Sequence, residues 1–216
     1  MSSLPKREKV YEITATLLNQ WQRIFDAAKY VKESESDTVA FETKVAEAQA
    51  KAKEEFVNTL RRVPVPENEA IIKGREYEKK VCDGLDEEFS PIIENGEFQA
   101  AYRKKIVVSG VNVMLYGILD VLKAGRIYDI KRVGRYQYPK YKTSHQHPMY
   151  FALVPNAIDF TYLVCDDNGE HHYENYLQCN CEDITVTIAT FLSWLKANDL
   201  WDEFGAYWDW DERKKS

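Results

Sequence analysis

Between positions 14 and 31, large apolar residues return every three or four positions. Leu17, Leu18, Trp21, Ile24, Phe25 and Ala28 fall on one side, which predicts an amphipathic helix. Residues 37–63 are rich in Ala, Glu and Lys with few large apolar side chains. They predict a long, largely exposed helix that Pro64 and Pro66 end. A third helix is expected over about 67–85. Its apolar stripe runs through Ile71, Gly74, Val81 and Leu85, and Glu78 falls on that stripe.

The period then changes. Segments 98–108 and 111–122 read as strands joined at Ser109-Gly110, and 126–133 as a third strand. An aromatic and basic loop over 136–142 precedes a short helix at 143–153. Segments 158–165 and 171–177 predict a hairpin around Asp166-Asp167-Asn168-Gly169, and 183–197 returns to helical spacing. Helices, a three-stranded meander, a helix, a hairpin and a helix imply an α/β fold, a central mixed β-sheet flanked by helices with an N-terminal helical extension.

A chain of 216 residues suits one domain, 1–216. No apolar run approaches the roughly 20 residues that span a bilayer, and the polar start, 1–9, lacks the apolar core of a signal peptide. The expected location is the cytoplasm, with no membrane partner. Cys82, Cys165, Cys179 and Cys181 are too few and too unevenly spaced for a disulfide framework. The net charge of -6 is unevenly spread. Segment 103–142 holds ten basic residues against two acids, a net +8, and the remainder carries -14. A basic segment in an acidic chain is an electrostatic footprint for a polyanion, although a solvated basic face accounts for the charge equally well.

The two acids in that segment are Asp120 and Asp129. A two-residue turn at Ala124-Gly125 pairs Lys123 with Arg126, Leu122 with Ile127 and Val121 with Tyr128, so Asp120 faces Asp129. Two carboxylates side by side among Ile118, Leu122 and Ile127 repel each other and lose hydration. A divalent cation such as Mg²⁺ removes the conflict. Lys131, two residues beyond Asp129, projects from the same face, where an ammonium can position a water or offset charge on a phosphate, and Arg132 projects from the other. The plainer account is a salt-bridged cluster on a solvated sheet face. Glu78 on its apolar stripe is costly unless paired or metal-bound. Gly74 in mid-helix suggests close packing. Gln146 and Tyr150, four apart, share a helix face, and Thr143 or Ser144 can cap that helix. Taken alone, that pair reads as a core tyrosine with a glutamine at its edge.

In chain order, Gly74-Arg75-Glu76-Tyr77-Glu78, Gly117-Ile118-Leu119-Asp120, Asp129-Ile130-Lys131 and Gln146 to Tyr150 resemble the motifs of the RecB-like and lambda-exonuclease-like branch of the PD-(D/E)XK nuclease superfamily. Ile13-Thr14-Ala15-Thr16-Leu17 is similar to the N-terminal segment of RecB-like proteins. Each motif alone is common, and it is their order and spacing that carry the resemblance. It implies a restriction-endonuclease-like core and metal-dependent hydrolysis of DNA phosphodiester bonds, in recombination, repair or phage DNA metabolism. On that reading 1–63 is a helical extension, 64–198 the nuclease core and 199–216 an acidic aromatic tail. Asp120, Asp129 and the backbone carbonyl of Ile130 would hold Mg²⁺, for which Mn²⁺ would substitute. Glu78 would be a further ligand, Lys131 would act on the attacking water or the transition state, and Gln146 and Tyr150 would orient the site. Arg132, Arg135, Lys140 and Lys142 would meet DNA. A homo-oligomer and a recombination or single-strand-binding partner fit the resemblance.

The chain departs from the family where many RecB-like members have His in place of Glu78. It also lacks the cysteine arrangement of members with an iron–sulfur cluster, so none is expected. His145 and His147 sit where they could touch phosphate, with an exposed helix terminus the plainer account. Trp194, Trp201 and Trp208 recur every seven residues. Gly205 interrupts a continuous helix there, which favours a tail packed on the core over a docking surface. Two other classes stay open: an inactive nucleic-acid-binding module of the same fold, and a structural or assembly protein.

Overall fold

The computed structural model describes residues 8–31 and 38–213. The polar start at 1–7, Asp37 at the expected start of the second helix, and 214–216 of the tail lie outside the described residues. The architecture is mixed α/β, with helices flanking a six-stranded mixed sheet. The strand order is β1 (Val10–Ile13), β3 (Val111–Lys123), β4 (Arg126–Arg132), β5 (Asp159–Cys165) and β6 (His171–Tyr176). In addition β2 (Glu97–Val108) pairs with β3. The β1–β3 and β4–β5 pairs are parallel, and β3–β4 and β5–β6 are antiparallel.

Contacts divide the chain into two compact units. Among the described residues, the first comprises 8–31, 38–64, 105–115 and 185–213. Its helices include α1 (Ala15–Asp26) and α2 (Thr38–Leu60), which are followed after the second unit by α6 (Ile184–Ala197), α7 (Trp201–Tyr207) and α8 (Trp210–Arg213). Thr14 caps α1 by accepting the Leu17 N–H at 3.2 Å. Leu17, Leu18, Trp21, Phe56, Leu60 and Phe191 form the core. Strand β1 was not legible from the sequence, because four residues are too short to show a period.

Helix α2 ends before the prolines are reached. Arg62 takes a left-handed conformation (φ 55), Val63 N–H reaches Asn58 O at 2.9 Å, and Arg62 N–H reaches Thr59 O at 3.0 Å. This is a Schellman closure with Arg where Gly is usual. The cost of that backbone is offset by the side chain. Its guanidinium lies 3.6 Å from the Trp208 ring and donates to Tyr207 O at 2.9 Å. Trp208 is itself buried and donates to Leu60 O at 2.7 Å, so this part of the tail packs on the core. Gly205 does not interrupt the helix; it lies inside α7 with its open side against Tyr11.

The second unit comprises 65–104 and 116–184. It contains α3 (Glu69–Cys82), α4 (Ser90–Ile93) and α5 (Gln146–Leu153). Every residue of β5 is buried, as expected of a strand covered on both faces. The turns of the β2–β3 and β3–β4 hairpins put two successive residues at positive φ, Ser109-Gly110 and Ala124-Gly125, the backbone that a right-handed twist favours. Of the stripe expected on α3, only Val81 lies on the buried face. Ile71 and Leu85 are exposed, no atom lies within 4 Å of a Cβ placed on Gly74, and Tyr77 and Val81 are what the helix buries. Tyr77 does so because its hydroxyl finds the buried carboxylate of Asp86 at 2.9 Å.

Candidate active site

The turn at Ala124-Gly125 sets the register, with Lys123 opposite Arg126, Leu122 opposite Ile127 and Val121 opposite Tyr128. Beyond Tyr128 the side chain of Asp120 enters the ladder. Its Oδ2 accepts the Ile130 N–H at 2.9 Å. Asp129 is wholly buried on β4, in register with Tyr162 of β5. Its Oδ1 accepts from Gln146 Nε2, while Oδ2 lies 2.5 Å from Lys131 Nζ without a hydrogen-bonding angle. Glu78 is half-buried on α3, and its Oε1 accepts from Gln99 Nε2. Gln99 lies within β2 at φ 51, a backbone strain of about 1–3 kcal/mol that aims the amide at Glu78. Nothing in the sequence marked Gln99.

Helix α5 closes the site. Ser144 Oγ accepts the Gln146 N–H at 3.2 Å, and Tyr150 donates to Ile118 O at 2.8 Å. Gly117 makes this seat possible. A Cβ there would lie 2.6 Å from Tyr150 Cε1 and 3.0 Å from Leu153 Cδ1. Gly117→Ala is therefore expected to cost about 1–3 kcal/mol by overpacking. That corresponds to a melting temperature lower by roughly 2–12 °C for a chain of this size. An unchanged melting curve would show that Tyr150 yields freely and that α5 is not fixed by this contact.

The electrostatics set this cluster apart. Burial, then the charges of Asp129 and Glu78, push Asp120 up to about 8, against the pull of Lys131. Burial also raises Asp129, against Lys131 and Gln146, and raises Glu78. Burial pulls the Lys131 ammonium down, but Asp129, Asp120 and Glu78 outweigh it and leave it above its ordinary value. Three carboxylates share one ammonium, and all three are strained toward neutrality. That is the electrostatic demand a divalent cation meets, so the residues fit a metal.

Metal-ligand spacing is met by a different group, and not by Asp120, Asp129 and Glu78. Among the described residues, ligand atoms of Asp166, Glu170 and His172 all lie within 4.8 Å of one another, a spacing that can hold a metal ion. Their chemistry is nevertheless the reverse. Burial acts to raise Asp166, but N–H groups of Glu170 and Asn168 and the His172 ring outweigh it and hold the carboxyl low. A carboxylate satisfied by its own turn makes no demand for a cation, whereas Asp120 and Asp129 do.

Other basic and imidazole side chains lie as follows. Arg132 pairs with Asp167 at 3.0 Å, and its guanidinium lies 5.9 Å from the Tyr77 ring centre. Arg135, Lys140 and Lys142 are exposed. His147 is not at an exposed terminus; it is buried, stacked on Tyr176 at 3.9 Å, with Nδ1 3.2 Å from the Tyr162 hydroxyl. Burial, then His145, push it down to about 4. His171 and His172 approach different carboxylates, Asp86 and Asp166, as their alternation on β6 requires.

No family model matches the chain, and no curated protein matches it. Among solved structures, the crystal structure of SSO0001 superposes with a TM-score of 0.50 at 15% identity, over 88% of this chain and 77% of that one. A candidate exonuclease from Eubacterium rectale aligns with a TM-score of 0.42 at 11% identity, over 91% of this chain and 82% of its own. Rai1 of Scheffersomyces stipitis aligns with a TM-score of 0.35 at 12% identity, over 89% and 62%. The likeness to SSO0001 is one of fold. No helix among the described residues is long and apolar enough to cross a membrane.

Proposed function

We propose that the chain is a Mg²⁺-dependent deoxyribonuclease of the PD-(D/E)XK type, acting as an exonuclease in DNA recombination, repair or phage DNA metabolism in the cytoplasm. The observation that carries this reading is the set of buried Asp129 and half-buried Asp120 and Glu78 around Lys131, with all three carboxyls pushed up. Asp120, Asp129, the Ile130 carbonyl and Glu78 would hold the cation. When bound, it supplies charge stabilisation to the phosphate and a more acidic water.

The protein's own groups supply the rest. Gln146 fixes Asp129 by donating to Oδ1, so the other oxygen faces Lys131. Asp120 is fixed by the Ile130 N–H. Lys131, protonated beside these carboxylates, donates to the attacking water or to the phosphate as charge builds. Tyr150 ties α5 to β3, which keeps Gln146 in place. Arg135, Lys140 and Lys142 on the exposed loop give the phosphate chain its electrostatic track.

The test is incubation with end-labelled linear DNA and with circular DNA, with and without Mg²⁺ or Mn²⁺. Metal-dependent release from linear DNA, spared circles and loss of release in Asp129→Asn are expected. Metal-dependent nicking of circles would make it an endonuclease. DNA binding with no cleavage in either metal would leave an inactive binding module of the same fold.

A further inference from the structure

Glu174, on β6, is 1% exposed, and the sequence gives no hint of its role. Its Oε2 accepts from the Tyr136 hydroxyl at 2.8 Å and the Lys140 N–H at 3.0 Å. Its Oε1 accepts from the Tyr141 N–H at 2.9 Å and from the Tyr176 hydroxyl. Two ends of one surface loop are thus tied to a single buried carboxylate. The Lys140 ammonium closes the loop again on Arg135 O at 3.3 Å. Burying a carboxylate is expensive, and here nearly all of its hydrogen bonding goes into shaping a loop.

That loop presents an apolar ring to water. Tyr138 is 71% exposed, with exposed Arg135, Lys140 and Lys142 in the same loop and just after it. Ordering a loop costs conformational entropy, and an exposed ring recovers nothing by burial. The inner side of the loop leads to the candidate active site. Tyr141 stacks on Tyr162 at 4.2 Å, and Tyr162 is the β5 residue in register with Asp129. A rigid exposed aromatic among cations suits single-stranded nucleic acid, whose bases stack on the ring while phosphates meet the cations. A blunt duplex keeps its bases stacked on each other and offers the ring little.

We propose that Tyr138, positioned through its loop by Glu174, stacks on an unpaired base of the strand that reaches Asp129, so that the site selects a single-stranded or frayed end over a blunt duplex. The inference rests on the nuclease reading for the identity of the polyanion.

The test uses the full chain in Ca²⁺ and two fluorescent probes, a short DNA single strand and the blunt duplex of the same sequence. Tyr138→Ala is expected to weaken single-strand binding by about 5- to 100-fold and duplex binding by less than about twofold. Tyr138→Phe keeps the ring and should bind like the native chain. A fluorescent purine analogue in the strand should be quenched by the native and Phe proteins and not by the Ala variant. Glu174→Gln, which exchanges an acceptor for a donor, should lose the single-strand preference with Tyr138 intact. Equal loss on both probes in Tyr138→Ala, or a Phe variant as weak as Ala, overturns the proposal. Cleavage of the same strand in Mg²⁺ is scored separately. Cleavage without any dependence on Tyr138 overturns the base platform and leaves the nuclease reading. Strand-selective, Tyr138-dependent binding without cleavage does the reverse.

Discussion

Lys131→Ala is expected to lower single-turnover cleavage by about 10²–10³ while changing DNA affinity far less. The ammonium lies 2.5 Å from Asp129 Oδ2, and the neighbouring carboxyls, Asp129 first, outweigh burial and hold it above its ordinary value. It can therefore serve as a donor and a charge but not as a base. A contact that gains strength only as charge builds on the phosphate lowers turnover when lost, not binding. Lys131→Arg should fail to rescue, because a broad planar guanidinium does not fit where a compact ammonium packs against a buried carboxylate. Arg132→Ala is the control. Its side chain is engaged with Asp167 and the Tyr77 ring, so turnover should change little. Removing Lys131 also leaves Asp129 with one partner fewer, so thermal melts of each variant must accompany the kinetics. Equal losses in Lys131→Ala and Arg132→Ala, confined to binding, would reduce Lys131 to part of the basic footprint.

Five of the six strands were legible because their signals are local. A two-residue turn with Gly125 at its second position fixes three cross-strand pairs, and those pairs are the ones formed. The register stops being readable at Asp120, because there a side chain replaces a backbone carbonyl as the acceptor for Ile130. Helix α3 was misread for a different reason. Its buried face is carried by Tyr77, a residue polar enough to be passed over, which is buried because Asp86 lies within reach of its hydroxyl. Glu78 is then not on a buried stripe but beside it, half-buried, with its carboxylate turned to Gln99. Glu174 shows the limit. A single acid in a strand looks ordinary, and two of its partners are backbone N–H groups more than 30 residues upstream that no pattern of side chains marks. Arg62 is illegible in the same way, since only the ring of Trp208, far along the chain, explains a left-handed arginine.

Metal and pH should act on stability in opposite directions through the same carboxylates. Burial and mutual repulsion lift Asp120 to about 8, and Asp129 and Glu78 shift the same way. In the unfolded chain these groups titrate near the ordinary range of about 4. The fold then holds protons that the unfolded chain releases. The stability linked to Asp120 is fully present below about pH 4 and is lost as pH rises through about 8. Other groups titrate over this range, so the informative quantity is the difference between the native chain and Asp120→Asn. In chelator, the Asn variant should gain on the native chain as pH rises, and the gap should close toward about pH 5. Saturating Mg²⁺ should reverse the order at high pH. A ligand at about 100 times its Kd adds roughly 2.7 kcal/mol to the native chain. That is about 5–11 °C in melting temperature for a chain of this size, and the Asn variant should gain much less. A gap that is absent in chelator would mean that protein hydrogen bonds already satisfy Asp120. A native chain that gains nothing from Mg²⁺ or Mn²⁺ would remove the metal site, and with it the chemistry assigned to Lys131.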